Sequence, residues 1–148
     1  MEKIEFTDQY FMKQALQQAR EALEKEEIPV GAVIVSEDKI ICRAHNLTET
    51  LSDVTAHAEM LALTAASEQL GSKFLDNCTM YVTLEPCAMC AGALGWARIG
   101  RLVFGARDEK RGYQRLYPTP LHPRTDVRSG IMQEECGYLV KHFFSARR

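Results

Sequence analysis

The 148-residue sequence holds no apolar run near the roughly 18 residues that a membrane helix needs. Its longest apolar stretch, Cys87 to Ala97, is short and is flanked by Pro86 and Arg98. No apolar segment stands behind a basic start at Met1-Glu2-Lys3-Ile4-Glu5, so no secretory leader is expected and the default compartment is the cytoplasm. The five cysteines are odd in number, which without a leader argues against a disulfide framework. Repeats and low-complexity segments are missing. The composition, 46% hydrophobic and 26% charged, excludes disorder and collagen-like structure. A strong overall charge is missing too, since the formal net charge is −2. That mean hides a gradient: residues 1–97 hold 7 Lys and Arg against 15 Asp and Glu, and residues 98–148 hold 11 against 5. Charge alone favours a solvated surface whose two halves compensate, with contact between the basic end and an anionic partner as the alternative.

What is present fits one domain, residues 1–148, long enough to bury a core. Thr7 or Asp8 caps a first helix that reaches about Glu27, its buried stripe marked by Met12, Leu16, Ala19 and Leu23. Val30 to Val35 and Lys39 to Ala44 read as a hairpin about Glu37-Asp38. A second helix starts near Thr55 and closes at Gly71. Thr79 to Leu84 is a third strand, and Pro86 opens a third helix to about Ala97. Arg101 to Gly105 is a fourth strand, residues 112–125 are irregular, and Val127 to Ile131 suits a fifth strand. Met132 to Ala146 is a last helix. Alternating strands and helices after residue 79 favour parallel pairing, and the opening hairpin makes the sheet mixed. The expected architecture is α/β, a three-layer α-β-α arrangement on a five-stranded mixed sheet.

Two segments carry chemistry: His57-Ala58-Glu59, and Pro86-Cys87-Ala88-Met89-Cys90. Proline suits the first turn of a helix, and cysteines three apart then share one face of that turn. Helix N-terminal N–H groups favour the thiolate form that binds metal. Two thiolates and one imidazole make three zinc ligands where zinc prefers four, the pattern of a catalytic site that keeps a place for water. Two thiolates offset most of the ion's charge, so the water needs a nearby base. Glu59 is placed to be that base, its oxygens kept off the ion. Alone, Cys-x-x-Cys also suits a redox pair or half of a structural zinc site, and His-x-Glu alone says little. Together, as His-x-Glu followed by Pro-Cys-x-x-Cys, they resemble the signature of the zinc nucleobase deaminases. Cys42, Cys78 and Cys136 read as small buried hydrophobes.

At these residues the chain resembles the bacterial tRNA-specific adenosine deaminases, within the zinc cytidine/deoxycytidylate deaminase superfamily. The resemblance also runs through Ile28 to Val33, Arg43 to Asn46, Thr55 to Glu59, Tyr81 to Ala93 and Arg98 to Ala106. It implies a cytidine-deaminase-like fold and a cytoplasmic homodimer with one zinc per subunit. It also implies hydrolysis of adenosine to inosine at the wobble position of a tRNA anticodon stem-loop, with release of ammonia. Carried over by position, His57, Cys87 and Cys90 hold zinc and Glu59 moves protons. Asn46, which by itself reads as a turn or strand-end residue, bonds the target base. Val30 and Ala58 wall the base pocket, and the Glu85 carbonyl accepts from the leaving amine, its side chain being equally suited to exposure. The basic end supplies RNA contacts through Arg107, Lys110, Arg111, Arg115, Arg147 and Arg148, with Phe144 as a stacking surface. Two departures stand out. Residues 112–124 lack the family's small-residue run, and Trp96-Ala97-Arg98 resembles the free guanine deaminases. A deaminase of free guanine, cytosine or nucleosides is therefore the alternative reading. Trp96 itself reads as core or dimer packing.

Overall fold

The computed structural model describes residues 5–147; Met1 to Ile4 and Arg148 lie outside the described residues. Helix α1 (Asp8–Glu24) begins where Thr7 accepts from the Tyr10 N–H at 3.1 Å. It stops three residues short of the expected Glu27. Glu26 adopts a left-handed φ of 61°, its N–H bonds the Leu23 carbonyl, and the Glu27 N–H bonds the Ala22 carbonyl. This is a Schellman ending made without glycine, so the helix stops ahead of Pro29 and Gly31, the breakers that the sequence shows.

Strands β1 (Gly31–Ser36) and β2 (Lys39–His45) pair antiparallel. Glu37 and Asp38 turn between them with φ of 50° and 62°, the double positive φ of a tight hairpin turn. Helix α2 (Ala58–Leu70) starts later than expected, because Thr55 is engaged by Asp53, whose carboxylate accepts its N–H and hydroxyl at 2.8 and 2.7 Å. Strand β3 (Thr79–Leu84), helix α3 (Ala88–Ala97), strand β4 (Arg101–Ala106), strand β5 (Asp126–Ser129) and helix α4 (Gln133–Ser145) follow. The segment before β5 carries only a single 3-10 turn, Tyr113–Arg115.

The strand order is β2-β1-β3-β4-β5. β1 runs antiparallel to both neighbours, whereas β3, β4 and β5 are mutually parallel, so the mixed sheet follows from the hairpin and the crossovers as expected. Alternation along β1 divides the core into two halves. Ala32 and Ile34 join α2 and α3 residues with Met80, Val82, Leu102 and Phe104, while Val33 and Val35 join α1 and Cys136 with Tyr81 and Val103. Each large apolar side chain buried here contributes about 1.5–3 kcal/mol. Asp8 fastens α1 to the sheet: it accepts two guanidinium bonds from Arg101 and one from Tyr81 Oη, all at 2.7 Å. No described helix is long and apolar enough to cross a membrane.

Candidate active site

His57 and Cys87 each occupy the N-cap of a helix, α2 and α3, with extended backbone (ψ of 152° and 175°). An N-cap side chain ordinarily accepts from the first helical N–H groups. Neither does so here, which leaves the imidazole and the sulfur free to face each other. Helix α3 thus begins at Ala88, and Pro86 sits one residue before the cap instead of opening the first turn. Cys90 follows within that turn and is fully buried. Its sulfur lies 3.5 Å from His57 Nδ1, and the Cys87 sulfur lies 3.7 Å from the same nitrogen.

These three ligand atoms all lie within 4.8 Å of one another, and no fourth His, Cys, Asp or Glu joins the cluster among the described residues. Tetrahedral bonds of about 2.3 Å to sulfur and 2.0–2.1 Å to nitrogen put neighbouring donors roughly 3.6 Å apart, so the spacing fits zinc. The charges fit as well. Donation from the Cys90 thiol and from His57, set against burial, brings the Cys87 thiol down to about 3. Its bond to Cys87 raises the Cys90 thiol far above its usual range, reinforced by burial and Glu59. The bond to Cys87 also raises His57. A divalent cation is suited to replace the protons these three groups share. Burial is the largest influence on the other cysteines, pushing Cys42 to about 11 and Cys136 to about 12 and raising Cys78.

Glu59 lies in the first turn of α2 and is 4% exposed. Burial pushes its carboxyl up to about 7; its own N–H and His57 oppose the shift, and Cys87 adds to it. Ala58 is fully buried and Val30 packs on the same hydrophobic cluster. Asn46 is buried, its N–H bonding the Val30 carbonyl at 3.1 Å. The Glu85 side chain is buried, not exposed. Its carboxylate accepts the N–H groups of Asp108 (3.0 Å) and Gln114 (2.9 Å), with the Arg107 guanidinium 4.0 Å away. Gly112 permits this, because a Cβ there would collide with that carboxylate. The Tyr113 N–H then bonds the Pro86 carbonyl at 3.0 Å, and Gly112 bridges Cys87. The divergent segment is thereby joined directly to the metal loop.

The residues of the basic end are placed less uniformly. Arg107, Lys110, Arg111 and Arg115 are exposed. Phe144 is half-exposed and meets the buried Phe143 edge-on. Arg147 lies 3.6 Å over the Phe143 ring and donates to that residue's carbonyl. Arg148 lies outside the described residues. Trp96 is 86% exposed, so the core option is excluded. One buried carboxylate was missed by sequence reasoning: Glu27, which is 0% exposed.

A conserved-domain description of the cytidine and deoxycytidylate deaminase zinc-binding region matches residues 6–106, and with the three-donor cluster it defines the class as a zinc deaminase. The chain is 44% identical to the tRNA-specific adenosine deaminase of Bacillus subtilis over 95% of its own length and 91% of that protein. It is 44% identical to the enzyme of the same name from Agrobacterium fabrum, covering 94% and 95%. A solved structure from a study of A-to-I editing by tRNA:A34 deaminases at the wobble position superposes with a TM-score of 0.83 at 44% identity, over 88% of this chain and 98% of that one. The guanine deaminase of Bacillus subtilis is similar over less, 68% and 65%, with a TM-score of 0.65 at 40% identity. The chain therefore belongs to the cytidine and deoxycytidylate deaminase zinc-binding family, in its branch of tRNA-specific adenosine deaminases.

Proposed function

We propose that this protein is a zinc-dependent aminohydrolase that converts adenosine to inosine at the wobble position of a tRNA anticodon stem-loop, releasing ammonia. The chemistry is carried by one observation: His57, Cys87 and Cys90 converge on a single point, with Glu59 buried in the turn beside them. The choice of tRNA is supported by 44% identity over nearly the full length to tRNA-specific adenosine deaminases, whereas the guanine deaminase of Bacillus subtilis is 40% identical over 68% of the chain.

His57 Nδ1 and the sulfurs of Cys87 and Cys90 would hold the ion, which would supply a Lewis acid to a water whose proton, with two thiolates offsetting the charge, needs Glu59 as its acceptor. Glu59 takes one proton from the water that attacks C6 and delivers it to N1 of the ring; it then takes the second from the new C6 hydroxyl, which becomes the inosine carbonyl, and hands it to the departing amine. The balance is adenosine plus water giving inosine plus ammonia. Asn46 bonds the base, Val30 and Ala58 wall it, and the Glu85 carbonyl accepts from the amine. The target must arrive unstacked, as an anticodon-loop base nearly is.

The RNA strand runs over exposed Arg107, Lys110, Arg111 and Arg115, with Phe144 and Arg147 as further contacts. A salt-independent affinity would remove this surface. The enzyme works as a cytoplasmic homodimer. Helix α3 is apolar on its outer side as well, with Trp96 and Met89 exposed, and a helix apolar all round is ordinarily covered. Sedimentation of a monomer at micromolar concentration would refute the dimer. The deciding assay compares inosine formation in a tRNA anticodon stem-loop with deamination of free guanine, cytosine and nucleosides. Preference for the stem-loop is expected, and turnover of free bases alone would overturn the assignment.

A further inference from the structure

The segment between Asn46 and His57 joins the residue assigned to the base and a ligand of the metal. Its ends are pinned to each other, since the Leu47 N–H bonds the Ala56 carbonyl at 2.9 Å. Its middle is held from outside. The Glu27 carboxylate, 0% exposed, accepts the Glu49 N–H at 3.1 Å and the Thr48 hydroxyl at 3.4 Å on one oxygen. The other oxygen accepts the Thr50 N–H at 2.7 Å and the Thr50 hydroxyl at 2.6 Å. Three consecutive residues of the loop thus converge on one side chain from just beyond α1. The loop also presents two apolar side chains to solvent, Leu51 at 53% and Val54 at 86% exposure. A segment that exposes such residues gains little from packing, so its shape rests on its hydrogen bonds.

We propose that Glu27 is a positioning residue of the substrate site. It acts through the 47–56 loop, setting the place of Asn46 and of the apolar lip formed by Leu51 and Val54 against the incoming RNA strand. Glu27 touches neither substrate nor metal. Three residues after it, the Val30 carbonyl receives the Asn46 N–H, so both anchors of Asn46 spring from the stretch that Glu27 begins. The inference rests on the deaminase reading above for its effect on catalysis, but not for its effect on the loop.

Glu27→Gln tests it, because the amide keeps the volume and turns a donor toward donors that need an acceptor. The holoenzyme variant is expected to keep one zinc per chain while its KM for the anticodon stem-loop rises on the order of tenfold and kcat stays within about twofold. The amides of Glu49 and Thr50 should exchange hydrogen faster. Equal KM and equal exchange in variant and wild type would overturn the proposal. A fall in kcat with unchanged KM would also overturn it, since that is the mark of a group acting on the chemistry. If Glu27→Gln does not fold, Thr50→Val removes one of the four donors, with the same signs expected at smaller size and the same results overturning the proposal. A wild type that makes no inosine in the stem-loop refutes the deaminase reading instead, and the exchange measurement then still decides whether Glu27 holds the loop.

Discussion

Glu59 is 4% exposed at the start of α2, and Glu27 is 0% exposed just past α1, yet the two carboxyls lie on opposite sides of the ordinary carboxylate range. At Glu59 burial dominates and lifts the value to about 7. At Glu27 burial pushes the same way, but the Thr50, Glu49 and Thr48 donors together outweigh it and the value falls below 4.5. Burial alone therefore does not set what a carboxyl does in this protein; the donors within reach do. One with few donors is poised to take and return a proton, while one with four is locked as an anion and serves as an anchor.

The largest effect expected from breaking this contrast is at Glu59. Glu59→Gln should leave zinc bound and lower turnover by about 10²–10⁴-fold, the usual range for losing a general acid–base group. Near-normal turnover, read as inosine per minute, would show that the buried carboxyl is not the proton carrier. The next effect is on folding. Cys87→Ala or Cys90→Ala, or stripping the ion with a chelator, should lower zinc content and the melting temperature together, because the site joins α2, α3 and the 112–113 segment. Full zinc in both cysteine variants would remove them as ligands.

The same contrast explains which parts were legible from residues alone. His57, Glu59, Cys87 and Cys90 fall in two short contiguous motifs, each at the start of a helix, and their pairing in space needs only that two helix starts meet. Strands β1, β3 and β4 were legible because apolar runs and crossovers dictate them, whereas β5, exposed throughout, spans Asp126–Ser129 and stops short of the expected Ile131. Glu27 was not legible, because its partners lie 21–23 residues away in a loop without periodicity, and a glycine-free helix ending let the expected helix run as far as Glu27 itself. The Glu85 side chain was hidden for the same reason: its acceptors serve backbone N–H groups at 108 and 114, which have no side-chain signature. Trp96 was misjudged in part because α3 is apolar all round, so composition could not say which side meets the sheet.

The smallest predicted effect is also the sharpest measure of the anchoring carboxylate. Because the Glu27 value is lowered in the fold, its ionised form contributes stability that is fully present above the unfolded value of about 4.5 and is lost as pH falls through the folded value. Asp8 is likewise lowered, chiefly by its bonds from Arg101, and adds a loss in the same direction at lower pH. His45, which feels Glu27 and Lys25 and is held low mainly by burial, takes up its proton as pH falls below 6.5. Both of those groups remain in Glu27→Gln, so they largely cancel in the difference between the two proteins. The melting temperature of Glu27→Gln should therefore lie a few degrees below wild type at neutral pH, with the gap closing below about pH 4.5 as the wild-type carboxylate is neutralised. A gap that stays constant into acid would mean that the four donors are satisfied without the charge, and that shape rather than ionisation holds the loop.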